Sequence, residues 1–292
     1  MTPAEMRLPD MAATAPRQCR DCPVRLDGLC AAFGRMTLAG LASASRHMIV
    51  GPDHVIADDD QASPHVVILR RGYARLQHNG EDGRRRIVGV VLPGEIMGSS
   101  ATTHPGYSYE TSTEAELCLI DRRVFDRALR QDPALARALL HQRSVELDRL
   151  RWLTWALGAL KPDERIAALL EMALTIMPTE VRPDGSTILT IELPRTDIAD
   201  LLATTPETIS RVTGKLAARG VIDIIDPWHF RVRSRRVLAS LGCQDGVYSL
   251  FATPYRRGPS GWVHDRGKGS ARPLPSVPLT PVNARTAPGR QH

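Results

Sequence analysis

One stretch of the sequence, LPRTDIADLLATTPETISRVTGKLAARGVIDIID at residues 193–226, constrains the fold more than any other. Its first part, RTDIADLLAT, predicts a short helix because its larger apolar residues fall on one side at helical spacing. A tight connection follows. Thr205 then suits the N-cap of a second helix, and Pro206 suits the first helical position, where a missing amide proton costs nothing.

The second predicted helix has one apolar face and one polar face. Ile209, Val212 and Leu216 recur at helical spacing and are predicted to face the core. Gly220 stands where a C′ residue commonly ends a helix, and the segment VIDIIDPWHFRVRS then predicts a two-stranded hairpin. Helix, turn, helix and hairpin in this order are typical of a winged helix-turn-helix domain, which we predict over residues 161–238.

The polar face of the second helix carries candidate DNA contacts. Glu207, Ser210 and Arg211 lie on its first turns, the end with which a recognition helix contacts base edges. Arginine can pair with guanine through two hydrogen bonds, glutamate can accept from cytosine, and serine can donate or accept. The same face would also suit an ordinary solvated helix. Its place inside the helix-turn-helix pattern favours base recognition.

The region before this domain predicts an antiparallel β-roll. The runs VVILRRGYARLQ, RIVGVVLPGEIMGSS and TEAELCLID have the composition of short strands, and HNGEDGRR between the first two is typical of a hairpin turn. Many short strands with regular turn signals are typical of a closed roll or sandwich. We therefore predict a sensory domain over residues 35–130, after an irregular arm over residues 1–34.

A long helix is predicted between the roll and the winged domain, over residues 131–160. The stretch DPALARALLHQRSVELDRLRWLTWALGAL has proline only at the start of the helix and no glycine before position 158. Leu140, Leu147 and Thr154 lie seven residues apart, a spacing that favours packing against a partner helix. A long helix packed only within its own chain is the alternative.

Composition limits the classes of function. The 292 residues carry a formal net charge of +6, which is compatible with a polyanionic partner. No run of about 18 apolar residues predicts a membrane span, and the N-terminus lacks the apolar core of a signal peptide. We therefore expect a cytoplasmic protein without a membrane partner. In that compartment clustered cysteines more often bind metal or do redox chemistry than form lasting disulfides.

Three cysteines stand close together near the start of the chain, in CRDCPVRLDGLC. Cys19, Cys22 and Cys30 have the spacing x2 and x7, which is compatible with metal binding. Thiolates are soft ligands that suit zinc or an iron–sulfur cluster, and a four-cysteine site needs one more. Cys118, at the end of the predicted roll, is available as the fourth. Structural zinc and unrelated buried cysteines remain alternatives at this point.

The sequence resembles a known family. The stretch TDIADLLATTPETISRVTGKLAARGVI is similar to the DNA-binding helices of the CRP/FNR superfamily of bacterial transcription regulators, and its ETISR core is similar to the FNR branch. The resemblance implies an α+β fold: a cyclic-nucleotide-binding-like β-roll (a double-stranded β-helix), a long helix and a winged helix-turn-helix. It implies that the long helix forms a homodimer and that Glu207, Ser210 and Arg211 read a double-stranded palindrome like TTGAT-N4-ATCAA. Pro206 replaces the arginine of the cyclic-AMP branch, which argues against that branch's target.

The resemblance also implies a cofactor and a mode of regulation. An N-terminal cysteine triplet with one distant cysteine before the dimer helix is the layout of oxygen-sensing regulators of this family, and the spacing resembles that of FnrL- and FixK-like proteins. It implies a [4Fe-4S] cluster on Cys19, Cys22, Cys30 and Cys118, a DNA-binding dimer that oxygen weakens, control of anaerobic or microaerobic genes, and contact with RNA polymerase.

Other functions have weaker support. A cyclic nucleotide would need a cation for its phosphate, but ATTHPGYSYETSTEAEL contains no arginine or lysine, and Ser99 stands where a carboxylate for the ribose is expected. A haem sensor would have to use histidines of the roll, which are His47, His54, His65, His78 and His104. An iron–sulfur electron carrier is a further alternative. We find no nucleotide-binding loop or catalytic constellation, and expect no enzyme. The tail over residues 239–292, including Cys243, is rich in proline and glycine and is predicted to be disordered.

Overall fold

The protein's structure, a computed structural model, describes residues 17–26, 28–58, 63–80, 85–98, 107–242, 255–258 and 261–264. The predicted α+β class is confirmed. A strand-rich domain comes first, a long helix follows it, and a small helical domain with a winged hairpin completes the main body. Within this described part of the chain, no helix has both the length and the apolar character that crossing a bilayer requires.

The predicted roll consists of two four-stranded antiparallel sheets. One has the strand order β1-β8-β3-β6 and the other the order β2-β7-β4-β5. Apolar residues from both sheets, among them Leu69, Ala74 and Leu117, share one buried cluster, so the roll has its own core. The strands are β1 (Ser45–Val50), β2 (Val55–Asp58), β3 (His65–Arg71), β4 (Ala74–Asn79), β5 (Arg85–Val91), β6 (Ile96–Met97), β7 (Tyr107–Thr111) and β8 (Ala115–Asp121).

The strand pleat gives β8 two different faces. Leu117 and Leu119 point into the core of the roll, whereas Cys118 and Ile120 belong to a second apolar cluster outside it. Successive side chains of a strand point to opposite faces of the sheet, which explains the division. That outer cluster also contains residues of the N-terminal arm, such as Leu29. Cys118 therefore faces the arm and not the interior of the roll.

Helices cover the outer face of the roll and lead to the second domain. They are α1 (Arg17–Arg20), a 3₁₀ helix (Gly28–Ala32), α2 (Arg35–Ser43), α3 (Arg122–Gln131), α4 (Pro133–Ala159) and α5 (Pro162–Ile176). The long helix predicted over residues 131–160 is α4. Asp132 separates it from α3 and caps it, since its carboxylate accepts from the backbone N–H groups of Ala134 and Leu135.

The C-terminal domain has the predicted winged helix-turn-helix order. Its elements are β9 (Thr179–Val181), β10 (Thr187–Thr190), α6 (Arg195–Leu202), α7 (Pro206–Ala218), β11 (Ile222–Ile224), β12 (His229–Val232) and α8 (Arg235–Leu241). Strands β11 and β12 form the predicted hairpin, and the sheet order is β11-β12-β10-β9. The domain extends beyond the predicted boundary at residue 238. Helix α8 continues to Leu241, and Leu238 is fully buried in the core of this domain.

Part of the C-terminal tail is described. Strands β13 (Tyr255–Gly258) and β14 (Gly261–His264) pair as an antiparallel hairpin within the segment for which the sequence predicts disorder. Cys243 lies outside the described residues.

Candidate metal centre and nucleic-acid interface

The arm and the outer face of the roll bring four cysteines together. Cys19 lies in α1, Cys22 just after it, Cys30 in the 3₁₀ helix and Cys118 in β8. All four are free, half-buried thiols that pack against the same apolar cluster. The four residues proposed from the sequence as ligands thus meet at one place, although residues 30 and 118 are far apart in the chain.

A glycine contact fixes the arm against the roll. Gly28 adopts a positive φ of 53°, and a Cβ atom added there would collide with the carbonyl oxygen of Gly94. The next residue, Leu29, is buried and donates its N–H to that same carbonyl at 3.4 Å. Only glycine combines this backbone conformation with so close an approach. The 3₁₀ helix that carries Cys30 therefore lies directly on the PGEIMG loop of the roll.

Burial changes the acidity of the thiols. It raises the pKa of Cys118 to about 11 and the pKa of Cys30 well above its usual range, and the charges of the neighbouring cysteines raise both further. The pKa of Cys19 is raised by burial and by Cys22. Since only thiolates bind metal, a metal entering this site must displace protons, and its binding weakens as the pH falls.

Two arginines stand beside the cysteines. Arg70, on β3, donates from Nε to the Cys22 sulfur at 3.5 Å. Arg25 is 6% exposed and donates from Nη1 to the Cys30 carbonyl oxygen at 3.0 Å. Its Nε is buried and has no hydrogen-bond partner among the described residues. A buried cation with an unused donor is expected to face an anion, and four thiolates around a metal core would supply one.

The residues present therefore fit a four-thiolate metal group. Four cysteine thiolates are the ligand set of a [4Fe-4S] cluster. Among the described residues, no three His, Cys, Asp or Glu side chains already stand where they would bind one metal ion together. Cluster thiolates differ from such a set because each binds a different iron. Of the histidines considered for haem, His47 instead contacts Arg70, and His104, like Ser99, lies outside the described residues.

The second site is the exposed face of α7. Thr205 caps this helix by accepting from the Thr208 N–H, and Pro206 occupies its first turn, both as predicted. The preceding turn is tight because Ala203 adopts the left-handed conformation, with φ at 51°. Glu207, Ser210 and Arg211 are all exposed, while the predicted core residues of α7 are buried. The Thr205 hydroxyl holds the pKa of Glu207 below its usual value, so the side chain is ready to accept as a carboxylate.

An ion-pair network joins the roll to the winged domain. Arg75 on β4 is 3% exposed and contacts carboxylates of both domains. It pairs with Asp197, at the start of α6, at 3.0 Å, and with Glu110 of the roll at 2.9 Å. Asp53 and the Gln77 amide oxygen accept its remaining donors. Sequence analysis did not identify this network, because Arg75 and Asp197 are separated by 122 residues.

The end of the long helix is tied to the helix-turn-helix. Arg165, on α5, donates to the carbonyl oxygens of Leu157 and Leu160, where α4 ends. The same guanidinium donates to the carbonyl oxygen of Leu202, the last residue of α6, at 3.1 Å. Cations at helix C-termini stabilise the otherwise unpaired carbonyl groups. Arg165 therefore links the C-terminal end of α4 to the C-terminal end of α6.

The long helix leaves an apolar stripe uncovered in the single chain. Leu140 and Leu147 are 68% and 45% exposed, and Thr154, the third position of the predicted seven-residue repeat, is also exposed. Trp155 adds further exposed apolar surface. Large side chains repeated along an exposed helix face are typical of an interface with another helix.

This fold defines a class of protein. Its members are regulators that bind DNA through a winged helix-turn-helix and carry an N-terminal roll of the cyclic-nucleotide-binding type. Residues 164–241 match the family model of the Crp-like helix-turn-helix domain, and residues 49–132 match that of the cyclic nucleotide-binding domain. The chain belongs to the CRP/FNR superfamily of DNA-binding transcription regulators, whose members are not enzymes.

Individual relatives agree with this placement. A probable transcriptional activator from Rhizobium leguminosarum bv. viciae is 32% identical over 72% of this chain and 86% of its own length. The transcriptional activator protein FnrL from Cereibacter sphaeroides is 28% identical over 70% of this chain and 84% of its own. The structure of FixK2 from Bradyrhizobium japonicum superposes with a TM-score of 0.61 at 24% identity, over 68% of this chain and 96% of that one.

Proposed function

We propose that this protein is an oxygen-responsive transcription regulator that binds a [4Fe-4S] cluster through Cys19, Cys22, Cys30 and Cys118. It acts as a homodimer on a palindrome like TTGAT-N4-ATCAA and activates genes needed when oxygen is scarce. The observation that carries the proposal is the meeting of four free cysteines beside a buried arginine, Arg25, whose Nε has no partner among the described residues.

The cluster's role is to hold the arm on the roll. When bound, it supplies an oxygen-labile link between three cysteines of the arm and Cys118 of β8. The 3₁₀ helix packs against α4, since Leu29 and Leu135 lie in one buried cluster. Thr37 of α2 donates to Asp132, the N-cap of α4, at 2.6 Å. Release of the arm therefore removes packing support from the start of α4, and the contact between Thr37 and Asp132 stays with the roll domain.

Dimerisation is the step that this support favours. The stripe of Leu140 and Leu147 is covered when a second copy of α4 packs against it. A site that interacts differently with monomer and dimer shifts the equilibrium between them. Arg165 links the end of α4 to α6, so the packing of α4 in the dimer also sets the position of the helix-turn-helix. The two recognition helices of the dimer then have the spacing that a palindromic site requires.

Base recognition is assigned to Glu207, Ser210 and Arg211, on the first turns of α7. The relatives named as transcriptional activators support activation as the outcome, which requires contact with RNA polymerase. Lys215, further along the same exposed face, is suited to a phosphate contact, which would add affinity without sequence preference.

Replacement of single cysteines tests the cluster. In protein purified without oxygen, Cys22→Ala and Cys118→Ala should each abolish the cluster and the oxygen dependence of DNA binding. Cys243→Ala is the matched control and should keep both. A full four-iron cluster in either ligand variant would refute the ligand assignment. Four-cysteine zinc, seen by metal analysis of the colourless protein, would instead make the site structural.

DNA binding is tested by comparing two positions on one helix face. Arg211→Ala should remove the preference for the palindrome over unrelated sequence. The expected loss of binding free energy at the palindrome is about 1–3 kcal/mol for each guanine with which the arginine pairs. Lys215→Ala should weaken binding to all sequences alike and reduce the salt dependence. The measurement is a titration of both DNA types at several salt concentrations. An unchanged sequence preference in Arg211→Ala would reject its role in base recognition.

A further inference from the structure

We propose that Arg25 and Arg70 are positioning residues for the metal group: their guanidinium groups balance its negative charge, and Arg70 hydrogen-bonds its Cys22 ligand. This inference rests on the proposed function. It concerns two residues that the ligand set does not include and that act on the metal group through the cysteines.

Arg70 reaches the cysteines from the sheet. In the ladder between β3 and β8, Ile68 pairs with Cys118, and Arg70 lies two residues further along β3, at a β-bulge that shifts the register between Leu69 and Arg71. Its side chain is 14% exposed, and its Nε lies 3.5 Å from the Cys22 sulfur. Nη1 of Arg70 lies 3.5 Å from Glu116 and 3.2 Å from His47 Nδ1. These contacts hold the guanidinium at the edge of the four-cysteine site.

Arg25 reaches the cysteines from the arm. It lies between Cys22 and Cys30 in the sequence and is almost fully buried. No carboxylate of the described residues forms an ion pair with it, and it donates a hydrogen bond to the backbone carbonyl of Cys30. Burial of an unpaired charge is unfavourable unless an anion meets it. Among the described residues, Cys19 and Cys30 lie close enough for the charge of Arg25 to act on them, and as thiolates bound to a metal core they would supply an anion.

The charges balance. Four thiolates carry four negative charges and an oxidised [4Fe-4S] core about two positive ones, so the bound group has a net charge of about −2. Arg25 and Arg70 supply two positive charges, and Glu116, which contacts Arg70, also pairs with a further cation, Arg71. Hydrogen bonds to the sulfur ligands and nearby charge are among the features that set the reduction potential of such a group.

A matched control lies next to Arg70 on the same strand. Arg71 also pairs with Glu116, at 3.4 Å, but its side chain is 63% exposed, compared with 14% for Arg70. If Arg70 serves only as a partner of Glu116, Arg70→Gln and Arg71→Gln should behave alike. If Arg70 acts on the metal group, only its own replacement should change the properties of that group.

The experiment measures the midpoint potential of the bound group in the full-length protein, prepared without oxygen and checked for iron and sulfide. Removal of a cation and of a hydrogen bond to sulfur favours the oxidised state. We expect Arg70→Gln to lower the reduction equilibrium constant about tenfold, which corresponds to about 59 mV for one electron. In Arg70→Lys, which keeps the charge, the potential should fall by less, and Arg71→Gln should match the wild type.

The outcomes separate this inference from the proposed function. Wild-type protein without iron and sulfide would refute the proposed function itself. Wild-type and variant proteins with full clusters and equal potentials would overturn the role of Arg70 and leave the proposed function intact. If Arg70→Gln fails to fold, Arg70→Lys is compared with Arg71→Gln in the same way, and equal potentials again overturn the inference.

Discussion

Two buried arginines of this protein have opposite surroundings. Arg75, between the roll and the winged domain, pairs with Asp197, Glu110 and Asp53 and also donates to Gln77. Arg25, beside the cysteines, donates to one backbone carbonyl, and its Nε has no partner among the described residues. Both side chains are nearly fully buried, so solvent satisfies neither.

We interpret this difference as that between a structural site, at Arg75, and the proposed metal-binding site, at Arg25. The network of Arg75 is complete within the chain, and it joins the roll to the first helix of the DNA-binding motif. Among the described residues the surroundings of Arg25 include no anionic partner, and burial of an unpaired cation is unfavourable. A buried cation without its counterion is therefore a physical reason to place a metal-thiolate group beside it.

Replacement of Arg75 should have the largest effect. Arg75→Met removes the cation that pairs with the buried Asp197 and with Glu110, and should lower the free energy of unfolding by about 3–5 kcal/mol. Arg182→Gln is the control: Arg182 pairs with Glu180 at the surface, at 2.9 Å and outside this network, and should contribute less than about 1 kcal/mol. Urea unfolding at neutral pH measures both. Equal, small effects would mean that the network does not hold the two domains together.

Replacement of Gly28 should have the next largest effect, confined to the arm. Gly28→Ala forces an alanine into the left-handed region and against the Gly94 carbonyl, at a cost of about 1–3 kcal/mol. Gly34→Ala is the control, since its added Cβ would meet nothing closer than 3.8 Å. Hydrogen exchange should show faster exchange of the 3₁₀ helix only in Gly28→Ala, with loss of iron. Full iron content with unchanged exchange would contradict the docking described for the arm.

The N-cap of α4 should contribute about 1 kcal/mol to the free energy of unfolding. Asp132→Ala removes the acceptor for two helix N–H groups and for Thr37. The Thr37 hydroxyl holds the pKa of Asp132 below its usual value, so this stabilisation exists above the unfolded pKa, about 3.9, and is lost as the pH falls through the folded pKa. Thermal unfolding at pH 7 and at a pH below the folded pKa should therefore show a difference between wild type and variant only at pH 7. A difference that persists at the acidic pH would assign the effect to packing.

Replacement of Arg25 in iron-free protein should have the smallest effect. Arg25→Met removes a charge that has no carboxylate partner among the described residues, so the free energy of unfolding should change by less than about 1 kcal/mol and can rise. Urea unfolding of iron-free wild type and variant measures this. A destabilisation as large as that of Arg75→Met would show that Arg25 has a complete set of partners within the chain, and the contrast between the two arginines would disappear.

Local patterns in the sequence predicted much of the fold. The caps and apolar spacing of α7, the wing and the long helix depend on neighbouring residues, and the structure has them where predicted. The recognition-helix face follows from the same periodicity. The surroundings of Cys22 could not be predicted from such local patterns, because Arg70 lies 48 residues away in sequence. No local pattern marks which arginines are buried, so Arg25 and Arg75 appeared only with the tertiary structure.

The most direct test of the central claim is the iron and sulfide content and absorption spectrum of full-length protein purified without oxygen, before and after exposure to air. We predict about four irons and four sulfides per chain and a broad absorption band at about 400 nm that decays within minutes in air. A colourless protein that contains zinc, or no metal, would contradict the claim. It would leave a CRP/FNR-family regulator whose cysteines are structural and whose signal is a different one.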